Sequence, residues 1–353
     1  MSNMGLAVPP LPRSAKPWVR LTIDTEAVWP RLRAYPSGRA GIRLIIADWL
    51  DMGGIILRMG NGNFLASAAS RLKEDYWPLI KSRQTFLLTL TGVAGYLCQR
   101  PAPLDWLRMA GLAGSLLLTI SGCTILNMVF DRDIDRKMSR TNQRPLATSQ
   151  INPGAAASLG GALITLGLLW ALTLSWLYCL VILAGASLDV LVYTLWLKRR
   201  SAWSIVLGGL AGGMPILAGR ALVVNRIDAA GLLLALAIVC WIPSHNLTLG
   251  MLYSEDYINA GVPTFLNVYG ITATRAAGTL SSLLTVIIMA TAFGRLAFSL
   301  AELAILGAGG LGLVGLAVFG WALPSRQATA ALYKYSSFFM LAAMLLLAFA
   351  RME

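Results

Sequence analysis

The sequence predicts an all-α integral membrane protein of about nine transmembrane helices, and three observations predict it. Hydrophobic residues make up 57% of the 353 residues and charged ones only 13%, about half the charge of a soluble domain. The mean hydropathy is +0.67. Apolar runs recur along the chain, each approaching the roughly 20 residues that cross ~30 Å of hydrocarbon. At that density, helices are the structures that satisfy the backbone in lipid, and Gly208-Gly209 and Gly212-Gly213 suit close helix packing there.

Residues 1–76 read as a separate N-terminal extension. They hold Pro9, Pro10, Pro12, Pro17 and Pro30, and an apolar stretch from Ile42 to Leu57 interrupted by Arg43, Asp48 and Asp51. That stretch is too short and polar to span a bilayer and suits an interfacial helix. No charged segment leads directly into an apolar one, as a signal peptide would. The membrane domain is expected over 77–353, with helices near 82–98, 106–128, 153–174, 177–197, 202–222, 228–251, 276–294, 299–322 and 336–351. Cys98, Cys123, Cys179 and Cys240 all lie in apolar runs without pairing or metal spacing and read as small core residues.

The net charge of +13 does not point to nucleic acid, because the basic residues sit in short loops beside apolar runs, next to headgroups. One set of connections carries Arg132, Arg136, Lys137, Arg140, Arg144, Lys198, Arg199, Arg200, Arg275, Arg326 and Lys334; the other carries Arg100, Arg108, Arg220, Arg226 and Arg295. The richer side is expected in the cytoplasm. Lys81 and Arg83 place the N-terminus there too, and nine spans put the C-terminus outside. The expected location is the cell (plasma) membrane.

The strongest chemical signal follows the second helix. Asn127, Asp131 and Asp135 are spaced i, i+4, i+8, one stripe on a helix. Stacked like charges are costly unless a cation sits between them. Oxygen ligands suit Mg²⁺, which also binds phosphate oxygens, and the basic residues just beyond suit a diphosphate. Asp133 falls off the stripe. A second acidic patch, Glu255-Asp256-Tyr257, follows the sixth helix, on the same side by topology. Two such patches at one mouth would clamp a diphosphate through metal.

Together these segments resemble the UbiA-type intramembrane prenyltransferases and, among them, the protohaem IX farnesyltransferase (haem O synthase) family. Lys81-Ser-Arg83 is similar to that family's KPR segment, with Ser82 in place of proline. Asn127 to Pro145 is similar to its DRDID…SRTxxRP signature, Tyr193 to Arg199 to its YTxWLKR segment, and Glu255 to Pro263 to its DDYxxAGxP segment. The resemblance covers roughly residues 77 to 350. It implies nine helices around a central cavity open to lipid, and Mg²⁺-assisted loss of diphosphate from farnesyl diphosphate. A vinyl group of protohaem IX then attacks the allylic carbon, and water adds to give a hydroxyethylfarnesyl side chain. It implies Asn127, Asp131, Asp135, Glu255 and Asp256 as metal residues, and Lys81, Arg140, Arg144 and Lys198 as diphosphate contacts. Besides Ser82, Glu255 stands in place of that family's usual first aspartate and Ser254 in place of a common lysine; the other departures fall on the acceptor side. Asn246 and Leu247 replace aromatic residues, Ile216 replaces a proline, and Arg220 replaces a tryptophan. An aromatic ring or lipid alcohol therefore stands as the alternative acceptor. A transporter is the reading from another class, against which no internal repeat is visible.

The candidates for the acceptor pocket are His245, Asp189, Tyr193 and Tyr257. His245, the single histidine, lies eleven residues before Asp256, about 20° away on a helical wheel and roughly 16 Å along it. It suits haem contact, proton acceptance or simple packing. Asp189 lies nine residues before Lys198, at membrane depth, where acids are costly and usually functional. It suits cation stabilisation, proton acceptance, pairing with Arg220, or a hydrogen bond across helices.

Overall fold

The computed structural model describes residues 77–99 and 104–349. The N-terminal extension expected at 1–76 lies outside the described residues, as do Arg100 and Arg351. A 3-10 turn, Trp77–Ile80, leads into α1 (Ser82–Leu97), followed by α2 (Trp106–Asp135), α3 (Pro153–Leu174) and α4 (Trp176–Leu197). Then come α5 (Ser204–Val224), α6 (Ala229–Leu252), the short α7 (Ser254–Ala260), α8 (Phe265–Arg295), α9 (Leu300–Ala322) and α10 (Arg326–Phe349). Among the described residues, the eight helices α2–α6 and α8–α10 are long and apolar enough to cross a membrane. The 16-residue α1, expected as a further span, is shorter than these and follows directly on the 3-10 turn.

The helix starts follow from local chemistry. The side chains of Asp105, Asn152, Asp228 and Thr264 accept from backbone N–H groups two or three residues on, and Ser299 with Glu302 forms a capping box. Each satisfies donors that the helix leaves free and lipid cannot meet. The helices then pack through small residues. A Cβ on Gly219 of α5 would run into the Gly92 carbonyl of α1, and one on Gly122 of α2 into that of Gly160 of α3. Backbone-to-backbone approach is therefore built from glycine. The main core gathers Leu112, Leu116, Tyr178, Ile216, Leu234, Phe293 and Leu347 from six helices. Exposed tryptophans mark both ends of the bundle: Trp106 and Trp176 at one, Trp77, Trp196, Trp203 and Trp321 at the other, as in interfacial belts.

Several elements differ from expectation. α2 runs on through Asp135, so the whole acidic stripe is helical. α8 starts at Phe265, capped by Thr264, and turns at Gly270, whose φ of 80° lies in the left-handed region open to glycine. α10 starts at Arg326 because Ser325 accepts from Ala328 N–H. α6 stops at Leu252 and Tyr253 breaks the helix with φ −123° and ψ 33°. The continuous wheel relating His245 to Asp256 therefore does not exist.

Candidate functional site

The polar site forms where the starts of α1 and α5 meet the ends of α2, α4 and α6. The 3-10 turn is anchored first. Leu79 is fully buried against Ile125, Met128, Leu146 and Ile151, and its carbonyl accepts from Thr124 Oγ1 of α2. The next residues turn sharply: Lys81 takes a left-handed φ of 45°, sparsely populated for a side-chain-bearing residue. This sets the Lys81 ammonium within electrostatic reach of Arg144, Lys198, Asp189 and Asp131. Burial, then repulsion from Arg144 and Lys198, lowers its pKa to about 8.

The stripe on α2 meets a cation at each carboxylate. Lys198 Nζ donates to Asp131 Oδ2 at 2.5 Å, and Arg144 Nη1 donates to both oxygens of Asp135 at 2.8 and 3.0 Å. Asn127 Nδ2 donates to Asp189 Oδ2 at 2.9 Å, while Asn127 Oδ1 accepts from Thr194 Oγ1 at 2.8 Å. Asp189 therefore makes a hydrogen bond across helices. It does not pair with Arg220, which is bound instead to Asp228 at 2.6 Å at the far end of α5. Asp133 falls off the stripe, as expected, and pairs with Arg199 in the open.

The winding of α4 explains how Asp189 and Lys198 reach one site. At 100° per residue an α-helix would put them on opposite faces. From Leu188 to Leu197, however, the helix is a π-helix, and the Lys198 N–H bonds five residues back to the Tyr193 carbonyl. At roughly 4.4 residues per turn, as i→i+5 bonding sets, positions nine apart return to nearly the same face. Tyr193 lies between them, with Lys198 Nζ 5.8 Å from its ring centroid. No feature of the sequence marks this winding.

In the second acidic patch Asp256 bonds the loop that follows α2. Asp256 Oδ1 accepts from Ser139 N–H at 3.1 Å, and its Oδ2 from Ser139 Oγ at 2.9 Å and Arg140 N–H at 3.3 Å. Burial pushes its pKa up, but these bonds outweigh it and leave the carboxyl below its usual range. Asp256 thus pins the loop after α2 to α7, and Glu255 is exposed. Among the described residues no three His, Cys, Asp or Glu side chains come together as a metal cluster. Tyr257 packs on Ile134, Met138, Ala260 and Val262 and is not in the cavity wall, contrary to its expected place in the acceptor pocket. Arg136 is also structural, donating to the Ala147 carbonyl and Ser149 Oγ within its own loop.

A cavity of about 620 Å³ opens among the helices, within the range of ligand pockets. Its wall carries Arg83, Arg140, Asp189 and Tyr193, then a lining that includes Leu116, Ile120, Ile182, Met340 and Met344, and also His245 with Trp241 and Tyr333. The Arg140 guanidinium sits 5.7 Å from the Tyr253 ring centroid. Sequence reasoning missed Trp241, Tyr333, Thr194 and Ser139. Of the departures noted in the sequence, Asn246 lines the cavity wall, whereas Leu247, 3% exposed in the helix packing, Ile216 and Arg220 do not. Aromatic faces come instead from Trp241 and Tyr333, stacked on His245 at 4.8 and 4.5 Å.

One fit for a divalent cation stands out. Asp131 Oδ1 is buried with no hydrogen-bond partner, and Asn127 Oδ1 keeps a spare lone pair.

The pattern of the UbiA prenyltransferase family matches residues 87–346. The protoheme IX farnesyltransferase of Thermofilum pendens is 41% identical over 199 residues, 56% of this chain and 70% of that one. The enzyme of the same name from Pyrobaculum neutrophilum is 34% identical over 268 residues, 75% of this chain and 95% of that one. Among solved structures, a digeranylgeranylglyceryl phosphate synthase superposes with a TM-score of 0.65 at 18% identity, covering 77% of this chain and 96% of that one. A UbiA homologue from Archaeoglobus fulgidus bound to DMAPP and Mg²⁺ superposes with a TM-score of 0.59 at 16% identity, covering 78% and 99%.

Proposed function

The chain belongs to the UbiA prenyltransferase family, and from that premise we propose that it transfers a farnesyl group from farnesyl diphosphate to a vinyl group of protohaem IX, giving haem O. It is a multi-pass membrane prenyltransferase, and the family with the farnesyltransferase relatives supports the acceptor. The observation that carries the reading is the joining of the Lys81–Asp131–Lys198–Asp189 cluster to an apolar cavity through Asp189 and Tyr193.

The residues divide by task. Lys81, Lys198, Arg140 and Arg144 bind the diphosphate, as preorganised cations do for charge that develops on a leaving group. Asn127, Asp131 and Asp135 would hold Mg²⁺, with the unpartnered Asp131 Oδ1 the first ligand. When bound, the cation neutralises charge on the departing diphosphate. Asp256 acts through the loop it pins, keeping Arg140 at the cavity wall. The prenyl chain lies along Leu116, Ile120 and Ile182, where water is excluded and an allylic cation is not quenched before the acceptor reaches it.

Diphosphate release by the purified protein tests the donor half. Release should need a divalent cation, and farnesyl diphosphate should serve as donor in the presence of protohaem. Equal release in excess chelator would contradict the assignment of Asp131.

A further inference from the structure

His245 is held more tightly than packing requires. Trp241 of α6 stacks on its ring with planes 22° apart, and Tyr333 of α10 with planes 25° apart. Its Nδ1 lies 3.1 Å from Ser336 Oγ and 3.3 Å from Ser337 Oγ. Each serine hydroxyl has one hydrogen, and both donate it to the Tyr333 carbonyl, at 3.0 and 3.1 Å. Toward His245 the two oxygens are therefore acceptors. This accounting assigns the imidazole proton to Nδ1 and leaves Nε2 with a bare lone pair. Among the described residues nothing hydrogen-bonds Nε2, and His245 lines the cavity.

We propose that His245 Nε2 is the base that takes a proton from the water added during prenyl transfer, and that Ser336 and Ser337 are positioning residues that keep this nitrogen unprotonated. The proposal rests on the vinyl acceptor stated above. In that reaction the allylic C–O bond breaks and its electron pair leaves with diphosphate. The vinyl π pair forms the new C–C bond and leaves a cation on the carbon beside the macrocycle. A water lone pair closes on that carbon, and one water proton passes to Nε2, leaving a hydroxyl on the product and an imidazolium that returns its proton to solvent. Of the two bases in the cavity wall, Asp189 is engaged by Asn127 and lies within reach of Lys81 and Lys198. His245 keeps Nε2 free of any hydrogen-bond partner among the described residues and faces the cavity.

Because the chain has one histidine, ¹⁵N-histidine labelling of the full-length protein reads this ring alone. The expected spectrum has a protonated, pyrrole-type Nδ1 and a pyridine-type Nε2. Ser337→Ala should mix the tautomers, and Ser337→Thr should restore the wild-type spectrum. A wild-type ring protonated at Nε2 overturns the proposal. With farnesyl diphosphate and protohaem, His245→Gln should lose the hydroxylated product by about 10²-fold, the low end for a lost general base, while a product lighter by one water accumulates and donor binding is unchanged. Hydroxylated product at the wild-type rate, or a haem absorption band that shifts on His245→Gln and so marks iron ligation, overturns this inference alone. Donor cleavage by wild type with no haem product overturns the acceptor reading, and this inference with it.

Discussion

Asp131 answers two opposed demands, holding Lys198 through one oxygen while its other oxygen is buried and free. Asp131→Asn keeps the volume and the hydrogen bond but removes the charge. Turnover should fall by at least ~10²-fold, as when one electrostatic contact to the transition state is lost, with the protein still extracted as a folded membrane protein. Near-normal turnover would remove Asp131 from the mechanism. Lys81 makes a second prediction. With its pKa at about 8, it is charged below that pH and loses its proton above it. An anionic donor needs the charged form, so affinity should weaken as pH rises from 7 to 9, approaching tenfold per unit above the pKa. Titration calorimetry would show proton uptake on binding above pH 8. Lys81→Met should flatten the pH dependence, and a wild-type affinity that rises with pH would contradict the assignment. At this scale the sequence was informative where residues share one helix, as Asn127, Asp131 and Asp135 do. It was silent on the Tyr333 stack, because that contact joins residues far apart in the chain with no local pattern between them.

Elements carry information that spacing alone misreads. Residues 188–197 read as ordinary membrane helix, yet only the wide winding brings Asp189, Tyr193 and Lys198 onto one face. The sequence offers no glycine or proline there to announce it. Deleting the lipid-exposed Leu191 should tighten the winding, and a displacement of even ~1 Å at such a site costs about 10²-fold in rate. Membrane insertion should be unchanged; full activity would show that the winding is incidental. The α1–α5 contact makes a different kind of prediction. Gly219→Ala places a methyl against the Gly92 carbonyl, an overpacking that costs ~1–3 kcal/mol. Thermal unfolding in detergent should move to lower temperature, and an unchanged midpoint would mean the two helices are less closely packed than described. The helix ends missed at α8 and α10 have different causes: the first turn of α10, Arg326 to Thr329, is polar and is overlooked by hydropathy while Ser325 caps it, whereas Gly270 and the polar residues Thr272, Thr274 and Arg275 interrupt the apolar run of α8 beyond its Thr264 cap.

At the scale of the whole molecule, the described helices, eight of them long and apolar enough to cross a membrane, bring Lys81, the stripe on α2, Lys198 and Asp256 to one end of the bundle. The orientation proposed for that end is cytoplasmic. In a cysteine-free background, Lys137→Cys should react with an impermeant reagent only from inside and Arg226→Cys only from outside; the reverse pattern would invert the topology. In the proposed function this architecture joins a prenyl donor to protohaem. The most direct measurement is the haem content, by mass spectrometry, of a strain that lacks its own haem O synthase and expresses this chain. The expected product is haem O, at the mass of protohaem plus one farnesyl and one hydroxyl group, and it should be lost with Asp131→Asn. A strain that accumulates the folded protein in its membranes but contains only protohaem would contradict it.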